Sequence, residues 1–190
     1  IIMKTFSGLG VSAGIGQAPA LLVEPAPGLP ARDPKGDTDD DVARVTAALS
    51  KVADRLDARA LEADPSAIGV LMATAMMARD PGLTSSVRTH LEEGDGPAHA
   101  LWGAIDDFCA QLTAAGGYLA ERVTDLHNVR DRALAVLQGL PEPGVPAFDS
   151  PVILVAEDLA PADTATLDPE LVRGLVTAAG LSLIHISEPT

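Results

Sequence analysis

Hydrophobic positions fall into three regimes along the chain. Between Thr5 and Val23 apolar residues are interrupted by Gly8, Gly10, Gly14, Gly16 and Pro19, a pattern that predicts two short strands with tight connections. Pro25 to Gly36 is rich in Pro and Gly and reads as a linker. Helical spacing begins only after it, with Val42, Val45, Leu49, Val52 and Leu56 in a first stripe and Ile68, Leu71, Met72, Ala75 and Met76 in a second. Thr38, followed by three aspartates, is the expected start of the first helix: a hydroxyl can cap free N–H groups, and carboxylates favour the positive end of the dipole. Asp80-Pro81 ends the second helix and opens a third, carried by Leu83, Val87 and Leu91 and closed by Gly94. Ala98 to Leu112 predicts a fourth helix. Leu119 to Val136 predicts a fifth, ending at Gly139.

After the Pro-rich stretch Pro141 to Pro146 the period changes again. Val152 to Ala156 predicts a strand, Pro161 a short helical turn, and Gly174 to Ala178 another strand. Short strand sets at the two chain ends could not stand alone, so they are expected to pair in one sheet. Long helices with short loops are expected to form antiparallel hairpins in a bundle. The fold class is therefore α/β, one unit built from both chain ends with an all-helical bundle inserted between them.

Composition sharpens this picture. Apolar residues make up 47% of the 190 but aromatics only 3%, which favours close-packed helices over an aromatic-rich sandwich. A formal charge of −14 argues against nucleic acid and anionic membrane as partners; it suits a basic protein partner, and equally a merely soluble surface. The single cysteine, Cys109, excludes an internal disulfide and a cysteine-based metal site, and it is expected to be a buried, inert thiol. Near the end, the stretch without formal charge from Gly174 to Ile186 is too short to span a bilayer, and the N-terminus, with Met3 as its expected start, shows no charged-then-apolar signal region; a cytoplasmic location is expected.

Gly8 to Gly16 lacks the spacing of a dinucleotide fingerprint and reads as turn glycines. His90, His99 and His127 fall on separate helices with no evident carboxylate or cysteine companions, so no metal site is expected. Asp37 and Asp39 to Asp41 lack calcium-loop spacing and read as a solvated helix start.

Three stretches together resemble the enzyme I type of phosphoenolpyruvate-protein phosphotransferase, over Met3 to Gly180. They are Gly8-Leu-Gly-Val-Ser-Ala-Gly-Ile-Gly16, Met76-Met-Ala-Arg-Asp-Pro-Gly-Leu83, and Pro151-Val-Ile-Leu-Val-Ala-Glu-Asp-Leu-Ala-Pro-Ala-Asp-Thr-Ala-Thr-Leu167 with its continuation Gly174-Leu-Val-Thr-Ala-Ala-Gly180. The resemblance implies a swivelling phosphohistidine-type α/β subdomain in two parts, residues 3–32 and 144–180, around a helical HPr-binding-type subdomain at 33–143. It implies an N-terminal domain whose histidine takes a phosphoryl group from phosphoenolpyruvate and passes it to the carrier HPr for sugar uptake. Neutral imidazole suits this role as a nucleophile near pH 7 whose phosphorylated nitrogen stays reactive. No cofactor is implied for this segment. Magnesium, phosphoenolpyruvate binding and dimerisation belong to a C-terminal domain beyond it.

In the family, Ala-Gly is followed by Gly, a variable residue and Thr-Ser-His. Here Gly180 is followed by Leu181-Ser-Leu-Ile-His-Ile-Ser-Glu-Pro-Thr190, so Leu181 stands in place of Gly and Leu183-Ile184 in place of Thr-Ser, while His185 falls in the register of the reactive histidine. The segment 181–190 also resembles the translation of a transposase adapter from sequencing libraries and is expected to be a non-native tail. As written, the chain is expected to be inactive.

The resemblance further assigns Thr164, within Asp163-Thr-Ala-Thr, to the neighbourhood of the reactive histidine; a capping hydroxyl at a helix start is the other reading. Arg122 and Asp125, within Glu121-Arg-Val-Thr-Asp125, match a family segment near the carrier-facing surface, or form a plain i, i+3 surface pair. Leu71, Thr74, Ala75 and Met76 occupy the stretch comparable to the carrier-binding hairpin, although Ser66, Ala67 and Ile68 stand where acidic residues are expected. Met72, Met76 and Met77 are expected to pack in the core rather than to form an adaptable contact face. A rival reading is a non-enzymatic helical module that docks a basic partner. A dikinase-type phosphohistidine domain is the other rival, and it would lack this helical insert.

Overall fold

A computed structural model describes residues 5–63, 65–120, 122–146, 148–157, 159 and 167–178. It orders them as β1 (Ala20–Leu22), α1 (Thr38–Glu62), α2 (Pro65–Ala78), α3 (Pro81–Glu93), α4 (Pro97–Ala115), α5 (Gly117–Ala120), α6 (Val123–Gln138), β2 (Val152–Ala156) and β3 (Val172–Thr177). The class is α/β, a helical bundle with a small parallel sheet, as the change of hydrophobic period predicts.

The helical core follows the stripes read from the sequence. Val45, Leu49, Val52 and Leu56 of α1 meet Leu83, Val87 and Leu91 of α3, Leu101 and Ile105 of α4, and Leu126, Val129 and Leu134 of α6 in one buried cluster. Apolar residues every three or four positions put one face of each helix inward, and burying a Leu or Ile there contributes roughly 1.5–3 kcal/mol. Helix starts and ends differ in detail from expectation. Asp37, not Thr38, caps α1, its carboxylate accepting the N–H groups of Asp39 and Asp40 at 2.9 and 3.2 Å. Gly94 closes α3 in the left-handed region, as expected.

The expected fifth helix is two helices. Gly116 and Gly117, with φ of +71° and +56°, turn the chain before α5. A new helix then starts at Val123, where Arg122 at the N-cap donates to the Asp125 carboxylate rather than capping the backbone.

The sheet has the order β1-β2-β3, all parallel, with Ala20 opposite Ile153 and Leu154 opposite Leu175. Strands from the two ends of the chain thus pair, and β2 lies between its partners with Val152, Leu154 and Ala156 buried on one face. Only one strand forms between Thr5 and Val23 where two are expected, and residues 5–19 hold none. Phe6, Leu9, Val11 and Ile15 are exposed there, so no neighbouring strand gives this stretch a ladder. Gly16 passes so close to β3 that a Cβ would overlap the Arg173 carbonyl. The last strand begins two residues earlier than the expected Gly174. The turn expected at Pro161 lies outside the described residues.

Candidate functional site

Helix α2 is apolar all round, and the bundle uses only one of its faces. Leu71, Thr74, Ala75 and Ala78 are buried against the core, and the Thr74 hydroxyl donates to the Val70 carbonyl at 2.8 Å. Met72 and Met76, one turn apart, are 51% and 72% exposed, with Val70 at the edge and Leu61 from the last turn of α1 exposed nearby in sequence. Of the four candidate contact residues on α2, therefore, only Met76 offers its side chain to a partner. Leu71, Thr74 and Ala75 face the core in this structure, while Met76, on the opposite side of α2, faces out. The core reading of the methionines holds for Met77, which packs on the cluster, and not for Met72 or Met76.

The exposed ridge is framed by charge. Arg79, just beyond α2, reaches back to Asp54 and Asp57 of α1 at 2.7 Å each. Hydrogen bonds to Asp57 and then Asp54 push its pKa further up, so it stays a fixed cation beside the methionines. Helix α2 also packs on α6, whose N-cap and first turn carry the other candidate pair. Arg122 donates to Asp125 at 3.0 Å, and both side chains are only 15% and 17% exposed. The pair is half-buried rather than a solvated surface pair.

Thr164 and His185 lie outside the described residues. Their places in the sequence follow the carboxyl ends of β2 and β3, which are neighbouring parallel strands. In open parallel sheets that edge is where ligands bind.

Two histidines do have carboxylate companions, contrary to expectation. His90 Nε2 lies 2.9 Å from Asp107 Oδ2, and Nδ1 lies 3.4 Å from Asp95. The Asp107 hydrogen bond raises the His90 pKa, against a smaller opposing effect of burial. His99 Nδ1 lies 3.0 Å from Asp33. His127 is shifted down, by burial first and by the Arg130 charge second. Cys109 is buried, and burial followed by the Asp106 charge pushes its thiol up. Among the described residues, no group of three or more His, Cys, Asp or Glu could hold a metal ion, and no helix is long and apolar enough to cross a membrane.

Residues 7–122 match the family described as PEP-utilising enzyme, N-terminal. The chain belongs to this family. Within it, the chain is 43% identical over 187 residues to the phosphoenolpyruvate-protein phosphotransferase of Streptomyces coelicolor, covering 95% of this chain and 33% of that protein. The Haloferax volcanii phosphoenolpyruvate-protein phosphotransferase is 38% identical over 106 residues, 56% of this chain and 19% of that one. A solution structure of an Enzyme I protein superposes with a TM-score of 0.73 at 25% identity, covering 87% of this chain and 70% of that one. These similarities make the PEP-utiliser segment one of enzyme I type, spanning a third of the length of the Streptomyces relative.

Two acidic anchors were not legible beforehand. Glu142 receives Arg55 at 2.5 Å and also pairs with the buried Arg132, and Asp33 receives the His99 backbone N–H at 2.9 Å. The only sequence signal was that each carboxylate interrupts a Pro-rich connector.

Proposed function

We propose that this chain is the carrier-docking, N-terminal part of a cytoplasmic phosphoenolpyruvate-protein phosphotransferase, a protein that receives a phosphoryl group on a histidine and passes it to HPr, and that the chain as written does not itself carry out the transfer. The observation that carries the docking role is the Met72–Met76 ridge on α2, an apolar surface that the chain's own core leaves uncovered. Exposed methionines adapt to a partner's shape, and the net charge of −14 draws a basic carrier toward them. Arg122 and Asp125, on the neighbouring helix, would border the docked partner.

The family resemblance puts the phosphoryl acceptor in the sequence after β3 and gives Thr164, in the sequence after β2, a role near it; both lie outside the described residues. Residues 3–32 and 144–180 form the α/β part and 33–143 the docking part in this reading. Magnesium, phosphoenolpyruvate itself and dimerisation belong to a further domain. In the sequence, Leu181 and Ile184 stand where the family has glycine and serine, and bulky apolar residue types are poor hosts for a dianionic phosphoryl group.

Titrating HPr into the chain and into a Met72→Ser, Met76→Ser double variant tests docking. Binding should weaken at least ten-fold in the variant, while unchanged affinity would remove the ridge from the interface. Incubation with radioactive phosphorylated HPr tests the acceptor. The chain as written should take no base-stable label, and labelling that vanishes in His185→Ala would show the tail to be a working site.

A further inference from the structure

The hairpin of α1 and α2 carries two outer stripes, one on each helix. On α1, Asp54, Asp57 and Leu61 recur at i, i+3 and i+7, and on α2 the exposed Met72 and Met76 are continued at the same spacing by Arg79. Helix α2 itself carries no charged residue, so Arg79 is the cation that closes the apolar ridge at its C-terminal end.

The position of that cation is well defined. The Arg79 backbone N–H donates to the Met76 carbonyl at 3.1 Å, which carries the helical path one residue past α2. From there one guanidinium nitrogen takes Asp57 and the other takes Asp54, each at 2.7 Å. A planar fork held by two separate carboxylates has little freedom left, so its charge is fixed in place. Asp54 is nevertheless 73% exposed, and the whole cluster is open to an approaching protein.

Three charges therefore meet at the end of the ridge, and their balance decides what can land there. Without Arg79, Asp54 and Asp57 would be two carboxylates one turn apart beside the methionines, suited to a lysine or arginine on a basic surface. With Arg79 both are already paired, and a basic group arriving at this end meets a like charge. Attraction by the net charge of −14 at long range and opposition by Arg79 at short range then act on the same partner.

We propose that Arg79 is a built-in brake on docking at the Met72–Met76 ridge, holding Asp54 and Asp57 in the place of a basic partner's own cations. This rests on the docking role proposed above for the ridge. All three side chains are partly in water, so the brake is modest, about two- to five-fold in affinity, and it is screened by salt.

Calorimetric titration of HPr into the chain and into Arg79→Gln, in about 0.15 M salt, reads the effect. Arg79→Gln should bind about two- to five-fold more tightly, and the gain should disappear in about 1 M salt. Arg88→Gln is the control: it removes an equal exposed charge, one paired with Asp39, roughly 22 Å along α1 from Asp54, and should leave the affinity near the parent's. Equal or weaker binding by Arg79→Gln, with helical circular dichroism retained, would overturn the proposal, and so would an equal gain in Arg88→Gln. Should Arg79→Gln lose its helical signal, the Asp54→Asn, Asp57→Asn double variant decides. It leaves the cation without its carboxylates and should bind more weakly than the parent, whereas unchanged or tighter binding rejects the brake. The Met72→Ser, Met76→Ser variant separates the two readings. If it weakens binding while Arg79→Gln does not strengthen it, the ridge stands and the brake falls; if it leaves binding unchanged, both fall.

Discussion

The Asp33 carboxylate caps helix α4 from 66 residues away, accepting the backbone N–H of His99 at 2.9 Å. Gly96 at the N-cap has no side chain to do this, and a Cβ there would overlap the Asp33 backbone carbonyl. The local residue is therefore small so that a distant one can approach, and the His99 ring, 3.0 Å from the same carboxylate oxygen, closes the arrangement.

Replacing Asp33 with Ala should cost about 0.5–2 kcal/mol of stability, the usual loss for an N-cap. Gly96→Ala should also destabilise, by displacing Asp33. Urea unfolding monitored by circular dichroism reads both. If Asp33→Ala unfolds at the parent's midpoint, the cap contributes nothing.

His90 should make stability fall as pH rises. Its folded pKa lies above the unfolded value, so the folded state binds more protons between the two. The contribution is fully present below the unfolded pKa, about 6.5, and is lost as pH passes through the folded value. A urea series from pH 5 to 8 should show this slope flattened in His90→Gln. His127, shifted down, acts with the opposite sign and loses stability as pH falls below about 6.5, so a His127→Gln series should separate the two.

The two faces of α2 should respond oppositely to substitution. Met76→Ala should leave the unfolding midpoint close to the parent's while weakening HPr binding. Ala75→Leu, at a fully buried position, should overpack the core and cost about 1–3 kcal/mol. Equal stability losses in both would mean that Met76 is packed rather than presented.

Cys109 should resist thiol reagents in the native state. Burial keeps the sulfur covered and its pKa high, so the reactive thiolate is scarce. Modification at pH 8 should be slow in buffer and fast in urea; equal rates would place the thiol at the surface.

Gly16→Ala should loosen the sheet, because the added methyl meets the Arg173 carbonyl, which cannot move without shifting β3. Hydrogen exchange at the amides of β3 should quicken relative to those of α1. Unchanged protection of β3 would show that the N-terminal segment yields instead.

The sequence by itself determined the class of fold and most of the element borders. Apolar residues at helical spacing from Val42 to Val136 called for stripes facing one another, and the five-residue run Val152 to Ala156, short, β-branched and preceded by a Pro-rich stretch, favoured a buried strand over a helix. Those signals are local, since side-chain period is a property of neighbouring residues. The resemblance of the Gly8, Met76 and Pro151 stretches to enzyme I also needed no coordinates. Tertiary structure alone decided which residues of α2 are surface, because a helix that is apolar all round has no polar face to mark its outside. It alone paired Asp33 with His99 and Glu142 with Arg55, contacts separated by 66 and 87 residues. An electrostatic partner at such distance leaves no periodic trace, because a charge in a linker reads as solvated until packing brings a cation or a helix N-terminus to it.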